Sequence, residues 1–290
     1  MKVSYYPGCS LEETAKPYDI SVREVCRRLE VELEDIPSWS CCGSSPALKM
    51  DGLLSTSLGA HNLALAQQLP SSQVVVPCPF CFRRLLSAKE ELTENQSLKA
   101  KVEKAIEAEL EDRIDVHNLL GFLRHEIGLK AIRKNVRQPL SGLKVLSYYG
   151  CYLVKPAGVT HYDDPENPVS MDEVLEALGA EVLNWDFKTE CCGAGLSISK
   201  TDTVCELTGR LIREAIWRGA DALVVACQLC QANLDMRQAE IGRKNKRSYG
   251  IPILYFTQLM GLAFGITHKA LGLHHHLISP KKLLKEKGWL

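Results

Sequence analysis

Glu190-Cys191-Cys192-Gly193 is preceded by Cys151 and followed by Cys227-x-x-Cys230, and the same set occurs earlier as Cys9, Cys41-Cys42-Gly43 and Cys78-x-x-Cys81. Cys151 follows Cys9 by 142 residues, the second vicinal pair follows the first by 150, and the two C-x-x-C pairs are 149 apart. Matching order and near-matching spacing mean an internal duplication, so the chain reads as two similar units of ordinary domain size. Ten of the twelve cysteines are used, five per set. A thiolate is a soft ligand suited to iron–sulfur clusters, zinc or copper(I). An ordinary cubane cluster or a structural zinc ion closes with four protein ligands, so a fifth thiolate must bridge, wait for substrate or stand idle. Neighbouring residues of extended backbone point opposite ways, so a vicinal pair holds two metal atoms more naturally than one.

The sequence around the cysteines is that of α/β units. Residues 2–6 form a short apolar strand ending at Pro7-Gly8-Cys9, and Gln73-Val74-Val75-Val76 another ending at Pro77-Cys78. Between them lie an amphipathic helical stretch at 19–29, a strand at 31–36 that leads into Cys41, and a helical stretch at 53–69. A helix at 97–110, with Val102, Ile106 and Leu110 on one face, and a strand at 113–116 complete the unit. The second copy restarts at Lys144. The expected fold class is therefore α/β: two similar domains, residues 1–135 and 136–290, each a small mostly parallel sheet with flanking helices. A basic stretch at 130–142, with Pro139-Leu140-Ser141-Gly142, reads as the linker between them. Open α/β sheets place their sites beyond the carboxyl ends of strands, and helix N-termini stabilise thiolates; the cysteines fall at both.

Other features read more plainly. Cys26 and Cys205 lie on apolar helix faces, lack counterparts in the other copy, and are expected in the core. The second copy has 40 residues from Cys151 to Cys191 where the first has 32 from Cys9 to Cys41. The surplus falls at 158–168, a candidate wall for a substrate pocket. His117 is expected to cap the helix it opens, His274-His275-His276 to form an exposed loop, and the tail 281–290 to lie on a partner protein. The net charge of zero gives no support for nucleic-acid binding. No apolar run reaches membrane-spanning length and no leader pattern precedes the first strand, so the expectation is a cytoplasmic chain with no transmembrane segment. There is no G-x-G-x-x-G after a strand and no ferredoxin-type cysteine run, so electrons must come from another protein.

The repeated pattern Cys, Cys-Cys-Gly, Cys-x-x-Cys, running from Tyr5-Tyr6-Pro7-Gly8-Cys9 to the helix after Tyr255-Phe256, resembles the CCG domain. Two such domains in a chain of this size resemble the B-type subunit of heterodisulfide reductase. That resemblance implies two noncubane [4Fe-4S] clusters in which cysteine sulfur can bridge irons. Cys9, Cys41, Cys42, Cys78 and Cys81 would hold one, and Cys151, Cys191, Cys192, Cys227 and Cys230 the other. It implies further that these cysteines are catalytic through their clusters, reducing a heterodisulfide such as that of coenzyme M and coenzyme B to two thiols. The implied partners are a ferredoxin-like C-type subunit together with a flavin-containing A-type subunit of the same complex. Because the family's substrates are anionic, Lys155 and Lys16, which follow the first cysteine of each copy, are expected to position the anion. The first vicinal pair continues as Cys42-Gly43-Ser44-Ser45-Pro46 where the methanogen enzymes favour Cys-Cys-Pro, which sets this chain nearer to non-methanogen relatives. Two other readings use the same residues: a quinone-linked subunit similar to the cysteine-rich anchor of some succinate dehydrogenases, and a zinc-stapled scaffold.

Overall fold

A computed structural model describes residues 1–290 with the exception of Ser45, so the segment between Ser44 and Pro46 that distinguishes the first vicinal pair lies partly outside the described residues. Each half holds one four-stranded sheet. In the first, β1 (Lys2–Tyr5), β2 (Glu32–Asp35), β3 (Gln73–Val76) and β4 (Asp115–Asn118) lie in the order β2-β1-β3-β4. In the second, β5 (Lys144–Tyr148), β6 (Glu181–Val182), β7 (Ala222–Val225) and β8 (Ile253–Tyr255) lie in the order β6-β5-β7-β8. The two orders are the same under the duplication, and every pairing is parallel. Parallel strands covered on both faces read as unbroken apolar runs, which is what Val74-Val75-Val76 and Ala222-Leu223-Val224-Val225 are; all seven are fully buried.

The strand order reverses between β1 and β3, and again between β5 and β7. Loops leaving neighbouring strands on either side of such a point diverge and leave a crevice at the carboxyl edge. Cys9 follows β1 and Cys78 follows β3, so the topology brings two ligands of the first set together; Cys151 and Cys227 repeat the placement.

The halves are not joined by a free linker. The helix Lys16–Arg28 of the first half packs against Phe256–Ala263 of the second, while residues 119–135 of the first pack against Ser170–Ala177 of the second. Each half thus covers an early crossover helix of the other with a helix that follows its own last strand. The stretch at 130–142 belongs to this exchange: Leu129–Asn135 is helical with Ile132 fully buried, and the amides of Arg137 and Gln138 donate to the Ala263 carbonyl. Those two bonds satisfy the last carbonyl of helix Phe256–Ala263, while the amides of Phe264, Gly265 and Ile266 serve the three before it. At the seam itself Tyr18 stacks on Tyr255 with ring centroids 4.2 Å apart, and the Ser21 and Thr257 hydroxyls share a 2.7 Å hydrogen bond.

Three local expectations change. His117 lies within β4, and the cap of the following helix is Asn118, whose side-chain oxygen accepts from Gly121 N at 2.7 Å. The tail folds back on its own chain: Leu284 is buried, Lys287 pairs with Asp221 at 3.1 Å, and Gln138 donates to the Gly288 carbonyl. The histidine run is split, since His274 and His275 are exposed but His276 is buried between Gln231 and Gln258, at 2.9 and 3.0 Å.

Burial, reinforced by neighbouring His275, lowers the His276 imidazole from its ordinary 6.5 to about 4. The neutral form is favoured in the fold, so the stabilisation is present above pH 6.5 and is lost as pH falls towards 4. The linkage is on the order of 3 kcal/mol. Urea unfolding at about pH 7.5 and about pH 5 should therefore show a smaller pH-dependent loss in His276→Gln than in the native chain; equal losses would mean that the imidazole titrates normally.

Candidate iron–sulfur site

All twelve cysteines are free thiols. In each set the vicinal pair splits as extended backbone requires: Cys42 and Cys192 turn inward, each 3 % exposed, while Cys41 and Cys191 face outward. Cys42 Sγ lies 3.3 Å from Cys81 Sγ, and Cys192 Sγ lies 3.6 Å from Cys230 Sγ, so the same contact is made in both halves. Cys41 lies near Cys42, Cys78 near Cys81, Cys151 near Cys191 and Cys227 near Cys230, close enough for each to shift the other's titration. Cys9 stands at the exposed edge of the first set, within reach of the Cys41 charge. Each quintet is therefore gathered at the carboxyl edge of its own sheet. Among the described residues no three His, Cys, Asp or Glu side chains form a group that would hold one metal ion.

Several features hold these sulfurs in place. Cys78 is the N-cap of helix Pro79–Glu94, and its sulfur accepts from Cys81 N; Cys227 is the N-cap of Gln228–Met236. Helix amides at these positions favour a thiolate. Gly43 and Gly193 adopt φ of 70° and 78°, and the Gly193 amide turns back onto Cys191 Sγ at 3.2 Å. Just before the first cysteine of each set, Gly8 and Gly150 also have positive φ, and a Cβ on either would lie 2.9 Å from the sulfur of Cys81 or Cys230. The chain thus passes directly against the inner sulfurs at two equivalent places.

Sequence reasoning missed the tyrosines. Tyr6 Oη donates to the Ser40 carbonyl and Tyr148 Oη to the Glu190 carbonyl, both at 2.6 Å, and these carbonyls immediately precede Cys41 and Cys191. Burial and then the surrounding sulfurs push both phenols well above the ordinary tyrosine range, so they remain donors. The signal was available, because Tyr6 and Tyr148 are 142 residues apart, as Cys9 and Cys151 are.

Within each set neighbouring thiols shift one another in opposite directions. Hydrogen bonds from Cys41 and Cys81 hold Cys42 well below the ordinary thiol range, and the Cys151 thiol brings Cys191 down to about 6. Their partners Cys41 and Cys151 are pushed up by those same contacts and by burial. Cys26, outside both sets, is raised by burial to about 12. Cys205 is likewise raised, by burial and its Glu240 contact.

A cavity of about 360 Å³ opens beside the second set and is lined by all five of its cysteines. Its opposite wall comes from the first half: Leu48, Lys49, Pro79 and Phe80. Phe80 stacks on Tyr152 at 4.0 Å across the seam, and Arg83 lies over the other side of the Tyr152 ring at 4.6 Å. Lys155 is paired with Glu166 at 3.0 Å and Lys16 is exposed in the first turn of helix Lys16–Arg28; Lys49 is the lysine on the cavity wall. Asp163 and Asp164 fold the longer loop back on itself by accepting from the amides of Ser170 and Asn167.

The donor chemistry fits an iron–sulfur group. Each set offers five free thiols, with the inner sulfurs buried and a glycine backbone pressed against one of them. Such sulfur-only surroundings select iron–sulfur clusters, zinc or copper(I) over hard cations.

The chain belongs to the cysteine-rich CCG domain family, whose model matches residues 3–85 and 145–235. It is 33 % identical to the 8-methylmenaquinol:fumarate reductase membrane anchor subunit of Wolinella succinogenes, covering 97 % of this chain and 98 % of that one. It is 29 % identical to the B-type subunit of the ferredoxin:CoB-CoM heterodisulfide reductase of Methanosarcina mazei, covering 96 % and 94 %. A crystal structure of a hypothetical protein from Helicobacter pylori shares the fold, with a TM-score of 0.74, 14 % identity and coverage of 96 % of this chain; the chain spans 52 % of that protein. Among the described residues no helix is long and apolar enough to cross a membrane.

Proposed function

We propose that the chain is the iron–sulfur subunit of a heterodisulfide reductase-like complex, reducing a disulfide to two thiols in the cavity beside the second cysteine set. The single observation that carries the reading is the duplicated quintet of gathered thiols with a cavity walled by one complete quintet and by the cysteine loop of the other. Cys9, Cys41, Cys42, Cys78 and Cys81 would hold one noncubane [4Fe-4S] cluster, and Cys151, Cys191, Cys192, Cys227 and Cys230 the second. When bound, such clusters supply single electrons at two neighbouring points, and cleavage of one disulfide consumes two electrons and two protons.

The protein's own part is positioning. Tyr6 and Tyr148 fix the loops that carry the vicinal pairs. The apolar walls, from Leu48, Phe80 and Leu207 among others, exclude water. Lys49 supplies a cation for an acidic substrate. Thiol–disulfide exchange by the remaining cysteines is unfavourable, since Cys26 and Cys205 are buried and their thiols are raised, whereas exchange needs an accessible thiolate. A ferredoxin-like C-type subunit together with a flavin-containing A-type subunit would deliver the electrons, in line with the role named for the methanogen relative.

A second reading, a quinol-linked electron-transfer subunit, is favoured by a specific surface. Leu48 and Leu196 on the cavity wall, with Met50 and Ile198 beside them, are exposed; Ile198 is 99 % exposed. An apolar rim of this kind suits a lipid-soluble substrate or a membrane-bound partner, as does the likeness to a methylmenaquinol:fumarate reductase subunit. Anaerobic purification with iron and acid-labile sulfide determination, followed by electron paramagnetic resonance with candidate disulfides and with a menaquinone analogue, separates the two. A spectrum perturbed by disulfide supports the first reading and one perturbed only by quinone the second. Zinc without iron or sulfide would end both.

A further inference from the structure

The duplication supplies an internal control, because each C-x-x-C loop can be laid on the other. Cys78-Pro79-Phe80-Cys81-Phe82-Arg83-Arg84 aligns with Cys227-Gln228-Leu229-Cys230-Gln231-Ala232-Asn233 at the offset of 149. Two of these positions differ in a way that bears on the sulfurs.

The first is Pro79 against Gln228. Pro79 has no donor and lies on the wall of the cavity beside the second set. Gln228 is 4 % exposed and crosses the seam in the opposite direction: its Nε2 donates to Cys78 Sγ at 2.8 Å. Its Oε1 is buried with no partner. A buried amide that leaves one end unsatisfied while the other meets a sulfur is held there at a cost, since an orphaned acceptor destabilises the fold. Among the described residues Cys227 receives no equivalent side-chain donor.

The second is Arg84 against Asn233. Arg84 is 6 % exposed, its Nη2 meets Glu91 at 2.8 Å, and its Nε is buried without a partner. Its guanidinium is paired with the Glu91 carboxylate, so the pair brings no net charge to the first set. Asn233 is neutral, donates to the Cys192 carbonyl at 3.1 Å, and lies 3.9 Å from Cys192 Sγ. The Gln228 bond to Cys78 Sγ, at 2.8 Å against 3.9 Å for Asn233 to Cys192 Sγ, favours extra negative charge on the first set.

We infer that Gln228 makes the two centres electronically unequal, so that a centre held by Cys9, Cys41, Cys42, Cys78 and Cys81 is reduced at a higher potential than one held by Cys151, Cys191, Cys192, Cys227 and Cys230. Hydrogen bonds to ligand sulfur and nearby positive charge stabilise the reduced, more negative state, and both are known levers on iron–sulfur potentials. Gln228 is a positioning residue supplied by one cysteine loop to the ligand of the other, which makes the setting of the first centre depend on docking of the two halves. The centre that faces the cavity is then the stronger reductant of the pair. This inference rests on the iron–sulfur reading above.

The test is a potentiometric titration of the full-length chain, prepared anaerobically and followed by electron paramagnetic resonance with a chemical reductant supplying one electron per centre. The native chain should show two midpoints. Gln228→Leu, close in volume and free of the orphaned oxygen, should lower the upper midpoint by about tenfold in the reduction equilibrium, which is 59 mV for one electron. The lower midpoint and the iron content should stay put. Cys78→Ser should alter that signal and spare the other, which assigns it to the first set. An upper midpoint unmoved by Gln228→Leu, a shift in the lower one instead, or loss of iron from that variant as from a merely structural change would overturn the inference. Absence of iron and sulfide from the native chain would overturn the parent reading, and is recognised before any midpoint is measured.

Discussion

If each cysteine set holds one iron–sulfur cluster, as proposed, Gly150→Ala should strip the chain of about half its iron and sulfide while leaving it folded, and Gly8→Ala should do the same to the other half. At Gly150 φ is +69°, and an added Cβ would lie 2.9 Å from Cys230 Sγ; at Gly8 the values are +74° and 2.9 Å from Cys81 Sγ. Two costs fall together. A left-handed backbone at a residue with a Cβ costs roughly 1–2 kcal/mol. That is tolerable against a typical total of roughly 5–15 kcal/mol. The contact is the larger problem, because Cys230 is buried and already 3.6 Å from Cys192 Sγ, so it can yield only towards the cavity and away from its place in the set. A ligand sulfur displaced by several tenths of an ångström no longer meets its metal. Gly219→Ala is the control: Gly219 has φ of +75° but nothing within 4 Å of the added Cβ, so it carries the backbone strain without the sulfur contact. Metal analysis of the three variants, with circular dichroism to check folding, should show iron loss in Gly150→Ala and Gly8→Ala only. Full iron in Gly150→Ala, or equal loss in Gly219→Ala, would mean that the glycine does not shape the ligand set.

The parts of this molecule that were legible in the sequence are those where chemistry and periodicity act locally. The repeated cysteines disclosed two α/β units, and Gln73–Val76 is found as read because four consecutive apolar or neutral residues before Pro77-Cys78 leave little else to form. The splitting of each vicinal pair into an inner and an outer thiol follows from the backbone alone. What stayed hidden was which surface meets which. The apolar face of helix Lys16–Arg28 announces burial but not that its cover is Phe256–Ala263 from the other half. Residues 130–142 look like a linker because Lys130, Arg133, Lys134, Pro139 and Gly142 are what linkers contain, yet one buried Ile132 is enough to dock the helix. His117 and Asn118 both end β4, and only the reach of the shorter amide decides which one caps. Lys155 was singled out by its distance from Cys151, which carries no information about Glu166, its partner across the loop. Gln228 stood as an unremarked residue within C-x-x-C, since its target lies 150 residues away.

Tyr18→Ala should destabilise both halves at once, although Tyr18 belongs to the first. Its ring is fully buried and stacked on Tyr255 at an interplanar angle of 1°, and its hydroxyl donates to the Ala226 carbonyl at 3.3 Å. Removing a buried aromatic side chain costs about 3–5 kcal/mol, and loss of the stack adds about 0.5–1.5 kcal/mol. Ala226 immediately precedes Cys227, so the void opens directly behind the second ligand set. Ser21 and Thr257 lose alignment with it, because they join the same pair of helices one turn further along. If the exchanged helices make one cooperative unit, thermal unfolding of Tyr18→Ala remains a single transition with its midpoint lowered by roughly 10 °C. Tyr18→Phe, which keeps the ring and loses only the bond to Ala226, should cost about 1 kcal/mol. Two resolved transitions in Tyr18→Ala, the upper one at the native midpoint, would show that each half holds its own core and that the seam is an ordinary interface. A single lowered transition has the opposite consequence. Neither cysteine set could then be assembled without the other half in place, which is the condition under which a side chain such as Gln228 can be relied on to reach across.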